Sequence, residues 1–358
     1  MSRKFFVLSF IVLLLIHCNN DNKYKELGIS DEQIKYIDSI LYNKNIRKQE
    51  TKSRSFVQYP DKIQSIKFRE LYNPAFADVY KNYIFIIDYS SMFIHRISLK
   101  DTNDYLVFGN GKGRGPGELI NPINFQLYKN KIFISDAAKH TIEIYSISGK
   151  YLKSIKLEEC APYRFIIDKK NEKLIINNQY DNVFLYYKFD FNGNFLKKFG
   201  APLIMEKINS GLYHESFIHS LNENSFLQVP LRLGVVGCYR NDSLIFIKET
   251  IDGIQKNPKG IVTTETGEYV NKNDFLYTCL KISSNNNYVL MARLISKENI
   301  RTSCFDLYEN KTLKYCYSFK LPIKIKNIFL HYNDKYFITY NDTNLIVWKL
   351  PNIINENK

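Results

Sequence analysis

The sequence predicts an all-β chain, a closed ring of six four-stranded antiparallel blades: a β-propeller. The first observation behind this is a set of six short apolar runs. They are YIFIID (Tyr83 to Asp88), KIFISD (Lys131 to Asp136), KLIINN (Lys173 to Asn178), SFLQVP (Ser225 to Pro230), YVLMAR (Tyr288 to Arg293) and YFITYN (Tyr336 to Asn341). Their first residues lie 48, 42, 52, 63 and 48 positions apart, which suits blades of roughly 40 to 50 residues each. Several of the runs are apolar at consecutive positions, as strands buried on both faces are. The second observation is the stretch from Gly109 to Leu157. A glycine-rich turn there opens onto NFQLY, KIFISD, TIEIYSI and KYLKSIKL, pieces rich in Ile, Phe and Tyr and separated by turn residues, which read as an antiparallel meander. The third is composition: 27 Tyr and 25 Phe in 358 residues supply a large β core within one unit.

Taken in order, the chain opens with Arg3 and Lys4, followed by an apolar run from Phe5 to Ile16 broken only by Ser9. Its 12 residues are too few to span a bilayer as a helix but match the apolar region of a signal peptide. The run stops at Cys18, before the polar Asn19-Asn20-Asp21-Asn22. This pattern resembles a bacterial lipoprotein signal, with His17 standing where that pattern has a small residue. The resemblance implies that Cys18 becomes the mature N-terminus and carries the lipid. An ordinary signal peptide or an uncleaved anchor is the alternative. The expected organisation is a signal over 1–17, then tether, helix and linker over 18–60. A propeller over 61–351 and a tail over 352–358 complete it. Within the second segment, Ser30-Asp31-Glu32-Gln33 forms a capping-box pattern. Ile34, Ile37 and Leu41 follow at helical spacing, predicting an amphipathic helix from Asp31 to Asn43. Lys44 to Tyr59 reads as a linker.

The glycine run itself is Gly111-Lys112-Gly113-Arg114-Gly115-Pro116-Gly117-Glu118. It is followed by Asn121-Pro122, a strand ending in Ser135-Asp136, and Ser146-Ile147-Ser148-Gly149-Lys150. This succession is similar to a blade of an NHL-type propeller, and beyond Gly109 to Leu157 the strand rhythm carries the pattern. The single tryptophan, Trp348, precedes Lys349 rather than Asp, and no blade has the signature of a WD40 repeat. The insertion from Asp252 to Asn273 accounts for the longest gap. The sixth copy has only three strands, Ile325 to His331, Lys335 to Tyr340 and Asn344 to Leu350. A ring must close or leave open edges, so the strand-like Lys62 to Arg69 is expected to pair with Asn344 to Leu350.

Lys plus Arg number 50 against 36 Asp plus Glu, a net charge of +14. The charges are scattered and form no basic run, so no nucleic-acid partner is expected. Five cysteines remain after Cys18, and none makes a C-x-x-C pair, which leaves no structural zinc pattern. Cys304 and Cys316 lie six residues on either side of Asn310, so a hairpin with an odd-length turn centred there would join them in a disulfide.

The NHL resemblance implies a functional face formed by loops between blades and by turns between second and third strands, around the channel mouth. Lys112 and Arg114 lie in the glycine loop on that face. Two cations in such a loop fit an anion; the alternative is a tight turn whose glycines serve geometry alone. At least one of Gly113, Gly115 and Gly117 is expected at φ > 0. Lys139 and His140 follow Asp136, Arg164 begins the inner strand of blade 3, and Arg232 lies in a turn of blade 4. These six are the candidate channel-mouth residues. Asp88 and Asp136, at the ends of second strands, are expected to accept hydrogen bonds from the following turns. No His-x-His or His-x-x-x-His pair occurs among His95, His140, His214, His219 and His331, so no metal site is assigned. The chain has no nucleophile elbow, Walker loop or zinc-protease helix, and no catalytic residue or cofactor is assigned. The reading is a lipid-anchored module of the cell envelope, at the outer membrane or periplasmic face. It binds or scaffolds a protein, peptide or glycan and meets the membrane through its N-terminal lipid. The alternative is an envelope hydrolase or lyase with a site at the channel mouth, with or without a metal.

Overall fold

The structure is a computed structural model that describes residues 30–32, 35, 46–67, 71–101, 103–178, 181, 183–201, 203, 215–255, 261–264, 267–270, 277–297, 300–321, 327–330 and 335–351. Six antiparallel sheets stand as blades around a central channel. Blade 1 spans Pro74–Phe108, blade 2 Pro122–Lys156 and blade 3 Arg164–Phe199. Blade 4 spans Ser216–Glu249, blade 5 Lys281–Leu321 and blade 6 Asn327–Lys349. The innermost strands touch their neighbours all the way round the ring, including blade 6 against blade 1.

The recurring apolar runs are the second strands, and their continuous apolarity has a direct cause. Alternate side chains point to opposite faces of a strand, and in a propeller each face meets a different blade. Phe85 and Ile87 pack in the core shared with blade 2, while Ile84 and Ile86 pack in the core shared with blade 6. Blade 2 repeats the arrangement, with Ile132 and Ile134 toward blade 1 and Phe133 toward blade 3. Each such side chain, fully buried, contributes about 1.5–3 kcal/mol. The aspartates that end two of these runs tie the incoming loops to the blade. Asp88 accepts the backbone N–H of Asn73 at 2.8 Å. Asp136 accepts those of Ile120 at 2.6 Å and Ala138 at 3.1 Å.

The ring closes as the sequence predicts. Lys62–Lys67 pairs antiparallel with Asn344–Lys349, with Ile66 opposite Leu345, and supplies the fourth strand of blade 6. The stretch expected as a linker is instead a strap. Ile46–Arg47 runs parallel to Ser243–Glu249 and makes blade 4 five-stranded. Gln49 reaches between blades 4 and 5, donating to the carbonyls of Glu249 at 2.7 Å and Leu313 at 2.8 Å. Arg54 meets both carboxylate oxygens of Asp306 at 2.8 Å, and Asp252 at 2.8 Å. Val57 then donates to the carbonyl of Ser318. The strap is seated by polar contacts to partners far along the chain, so it carries no apolar period to read. Of the expected helix over Asp31–Asn43, only Asp31, Glu32 and Lys35 are described, and all are helical. Cys18 and the signal lie outside the described residues.

The disulfide between Cys304 and Cys316 does not form: both are free thiols. Cys304 stands opposite Lys320, and a bulge between Leu307 and Tyr308 leaves Cys316 without a direct partner. The hairpin therefore centres beyond Asn310. In the glycine loop, Gly117 adopts φ +73°, whereas Gly113 and Gly115 keep negative or extended backbone. Gly115 instead serves by its N–H, which donates to Glu118 Oε2 at 2.6 Å.

Candidate functional site

The inner strands enclose a cavity of about 690 Å³. Where blades 3, 4 and 5 begin, Arg164, Glu215 and Lys281 line it together. Arg164, the first residue of its inner strand, donates Nη1 to the carbonyl of Ser216 at 2.8 Å. Its Nη2 lies 3.5 Å from Glu215 Oε1, and its guanidinium sits 4.1 Å from the centre of the Phe217 ring. Arg232, in the turn between the second and third strands of blade 4, places both Nη atoms 3.0 Å from Glu215 Oε2. It is almost wholly buried and lies over Tyr277 at 5.2 Å. Lys281 begins the inner strand of blade 5, with Nζ 5.8 Å from the same Phe217 ring.

Two guanidinium groups thus share one carboxylate, and the Lys281 ammonium stands beside Arg164 over the Phe217 ring. Burial lowers the Arg164 pKa from its ordinary value, with Glu215 opposing the shift. The Lys281 ammonium has no hydrogen bond or ion pair among the described residues. Burial first, and then the Arg164 charge, push its pKa down to about 8; a group so held gains from any anion that approaches. Cys279, whose carbonyl-directed thiol lies 3.4 Å from the Lys281 oxygen, is pushed up to about 12 by burial and stays protonated.

The rest of the cavity sets neutral polar groups beside Asp78, Lys81, Lys129 and Lys169. His219 shares a 2.8 Å hydrogen bond with Ser284 Oγ. Burial, assisted by Lys169, lowers its pKa to about 4, so the ring is neutral near pH 7. The Gln126 amide also lines the cavity. Asp78 is pushed up to about 6 by burial, against the hydrogen bonds it accepts from Val79 and Leu127. Among the described residues no group of three or more His, Cys, Asp or Glu is placed to hold a metal ion; His214 and His331 lie outside them.

The structure brings together two of the six residues singled out from sequence, Arg164 and Arg232, through Glu215. Of the six, Arg164 alone lines the cavity. Lys112 and Arg114 project from the glycine loop into solvent. Lys139 is turned inward: its ammonium meets the carbonyls of Glu118 at 2.8 Å and Gly115 at 3.2 Å and the buried Glu143 at 2.8 Å. It pins the glycine loop to blade 2. His140 is exposed in a left-handed turn position, φ +57°. Sequence reasoning missed Glu215, Phe217, Tyr277 and Lys281.

No family model matches the chain, and no curated protein matches it. Solved structures do. One is a protein of Bacteroides fragilis NCTC 9343 described as exported, at 14% identity over 88% of this chain and 96% of that one, TM-score 0.56. Another, from Bacteroides vulgatus ATCC 8482, is described as a member of the DUF4221 family. It is 8% identical over 81% of this chain and 97% of that one, TM-score 0.58. A third is the WD40-repeat structure of RRP9, at 10% identity over 82% of this chain and 99% of that one, TM-score 0.50. The chain is a six-bladed β-propeller. At these identities the likeness shows the fold alone, and it extends to a WD40 protein although this chain lacks that signature.

Proposed function

We propose that this chain is a lipid-anchored module of the cell envelope that binds its ligand at the cation-lined mouth of the central channel. The observation that carries the reading is the grouping of Arg164 and Arg232 on a single carboxylate, Glu215, with Lys281 beside Arg164 over the Phe217 ring, at a cavity of ligand size. Small-molecule sites are concave, roughly 300–1,000 Å³, with a few placed polar groups. The N-terminal pattern ending at Cys18 supports the anchor. The exported character ascribed to the similar Bacteroides fragilis protein supports the envelope location.

A photo-cross-linking residue placed at Tyr163, on the cavity lining, and at Leu196, on an exposed outer strand, tests the site in intact cells. A ligand captured from Tyr163 and not from Leu196 is expected. Capture from Leu196 alone would make the rim the working surface and end the channel reading.

A further inference from the structure

We infer that the ligand is a small sugar acid, its carboxylate held between Arg164 and Lys281 and its hydroxyl-bearing body lying along the polar lining of the channel. This rests on the binding reading above and names the ligand.

The arrangement of the cations favours a carboxylate. Glu215 takes both Nη atoms of Arg232 and makes one longer 3.5 Å contact with Arg164. Arg232 is therefore already neutralised, while Arg164 is only partly so and Lys281 is not. The two unspent cations meet over one ring, Phe217. A guanidinium offers a planar fork suited to a carboxylate, and an ammonium adds a point charge with rotatable donors. A carboxylate set between them meets both cations.

The body of the ligand follows from what lies further along the cavity. Gln126 and the His219–Ser284 pair present donors and acceptors without full charge. Phe76, Phe217 and Phe329 supply apolar walls. Such a lining fits a polyhydroxylated ring with apolar faces, and the cavity holds one or two sugar units. The acid can be a free monosaccharide or the terminal unit of a glycan, since either presents the same carboxylate.

Binding is linked to protonation of Lys281. The groups acting on it are Arg164 from blade 3, Phe217 from blade 4 and Cys279 ahead of blade 5; Glu215, Arg232 and Tyr277 stand around Arg164. An added carboxylate raises the Lys281 pKa from about 8. Affinity therefore holds below that pH and falls above it, with proton uptake on binding near it.

The test is titration calorimetry on the full chain in detergent. The probes are D-glucuronate, D-galacturonate, a glucuronate-terminated disaccharide, D-glucose and inorganic phosphate. A uronate should bind, glucose should not, and phosphate should bind at least tenfold more weakly. Lys281→Met keeps the aliphatic stem and removes a desolvated charge. It should cost about tenfold or more in uronate affinity while leaving thermal stability equal or higher. In buffers of different ionisation heat near pH 8, wild type should take up a proton on binding and Lys281→Met should not. Tighter binding of the disaccharide than of free glucuronate identifies a glycan end as the source; the reverse identifies the free acid. Glucose or phosphate binding as well as the uronates, unchanged affinity in Lys281→Met, or no uronate binding at millimolar concentration would each overturn the inference. If the uronates fail while Tyr163 still cross-links, the ligand assignment falls and the channel reading stands. Cross-linking at Leu196 alone removes both.

Discussion

Replacing Gln49 by Ala tests whether the N-terminal strap belongs to the folded unit. The side chain is 7% exposed. Its Nε2 donates to the carbonyls of Glu249 at 2.7 Å and Leu313 at 2.8 Å, and its Oε1 accepts the N–H of Tyr315 at 3.0 Å. Truncation removes all three bonds and leaves the Leu313 carbonyl and the Tyr315 N–H facing a space that the strap still covers. Each buried group left without a partner costs ~1–3 kcal/mol, so the loss is ~3 kcal/mol. For a domain of this size 1 kcal/mol moves Tm by roughly 2–4 °C, which predicts a drop of roughly 6–12 °C. Trp348 is a convenient reporter. It is the only tryptophan, it is 7% exposed, and its indole N–H donates to Thr339 Oγ1 at 2.8 Å. Urea unfolding followed by its fluorescence gives the midpoint. Thr51→Ala, on an exposed neighbour whose hydroxyl meets only the Ser53 carbonyl, should stay within ~0.5 kcal/mol of wild type. Should Gln49→Ala and Thr51→Ala prove equally stable, the strap is not seated and the reasoning fails.

Four further outcomes are expected. Deleting residues 19–50 should lower stability, because it removes Ile46–Arg47 and Gln49. Extending the deletion through Lys67 should unpair Asn344–Lys349 and shift the protein to aggregates in size-exclusion chromatography. Gly117→Ala should cost about 1–2 kcal/mol for its left-handed backbone alone, with a further penalty because a Cβ would lie 2.8 Å from Tyr151. Gly115→Ala should cost less, since only the movable Glu118 carboxylate stands in its way, and thermal melts of the pair rank them. Asp168 titrates below its ordinary value: burial raises it, but hydrogen bonds from Asn171 and Lys188 prevail. Its stabilisation is present above the unfolded carboxylate pKa and lost as pH falls through the folded value. Asp168→Asn should therefore lower the urea midpoint at pH 7 and much less at pH 3. Cys18→Ala should move the protein from the membrane fraction to the soluble fraction of fractionated cells; retention on the membrane would end the lipoprotein reading.

The parts of the fold that were legible are those fixed by burial on both faces of a strand. Ile84 to Ile87 and Ile132 to Ile134 announce themselves because each residue has a blade on its own side. Closure was legible for a related reason: a three-stranded remnant and an orphan strand leave one pairing that removes both edges. The strap was not, since Gln49 and Arg54 gain their meaning from Glu249, Leu313, Asp252 and Asp306. The disulfide expectation failed on register: Cys304 pairs with Lys320, four residues past Cys316, and the bulge between Leu307 and Tyr308 accounts for one residue of that offset, the longer turn for the rest. Lys139 shows the same limit at a charged position. Its place beside Asp136 suggested the rim, and the buried Glu143, four residues on, draws it inward.

The cation cluster was half within reach of the sequence, and the reason is geometric. Two of the residues that begin inner strands, Arg164 and Lys281, line the cavity. In blades 1, 2, 3, 4 and 6 the inner strand begins nine residues ahead of the apolar run, at Pro74, Pro122, Arg164, Ser216 and Asn327. Counting back nine from each run thus finds Arg164 without any structure, and the residue just before Ser216 is Glu215, its counter-charge. In blade 5 the inner strand begins only seven residues ahead of the run, at Lys281. The same count lands on Cys279. Blade 5 has an inner strand of four residues, Lys281–Ser284, where blades 3 and 4 have five. It turns back through Asn285, Asn286 and Asn287, where Asn285 accepts the backbone N–H groups of Asn287 and Tyr288. That shortened hairpin puts Lys281 in register with Arg164 across the mouth while removing it from the sequence column in which Arg164 stands. A cation placed by a local deletion in one blade becomes visible only when the strands on either side are seen to share one ring, Phe217.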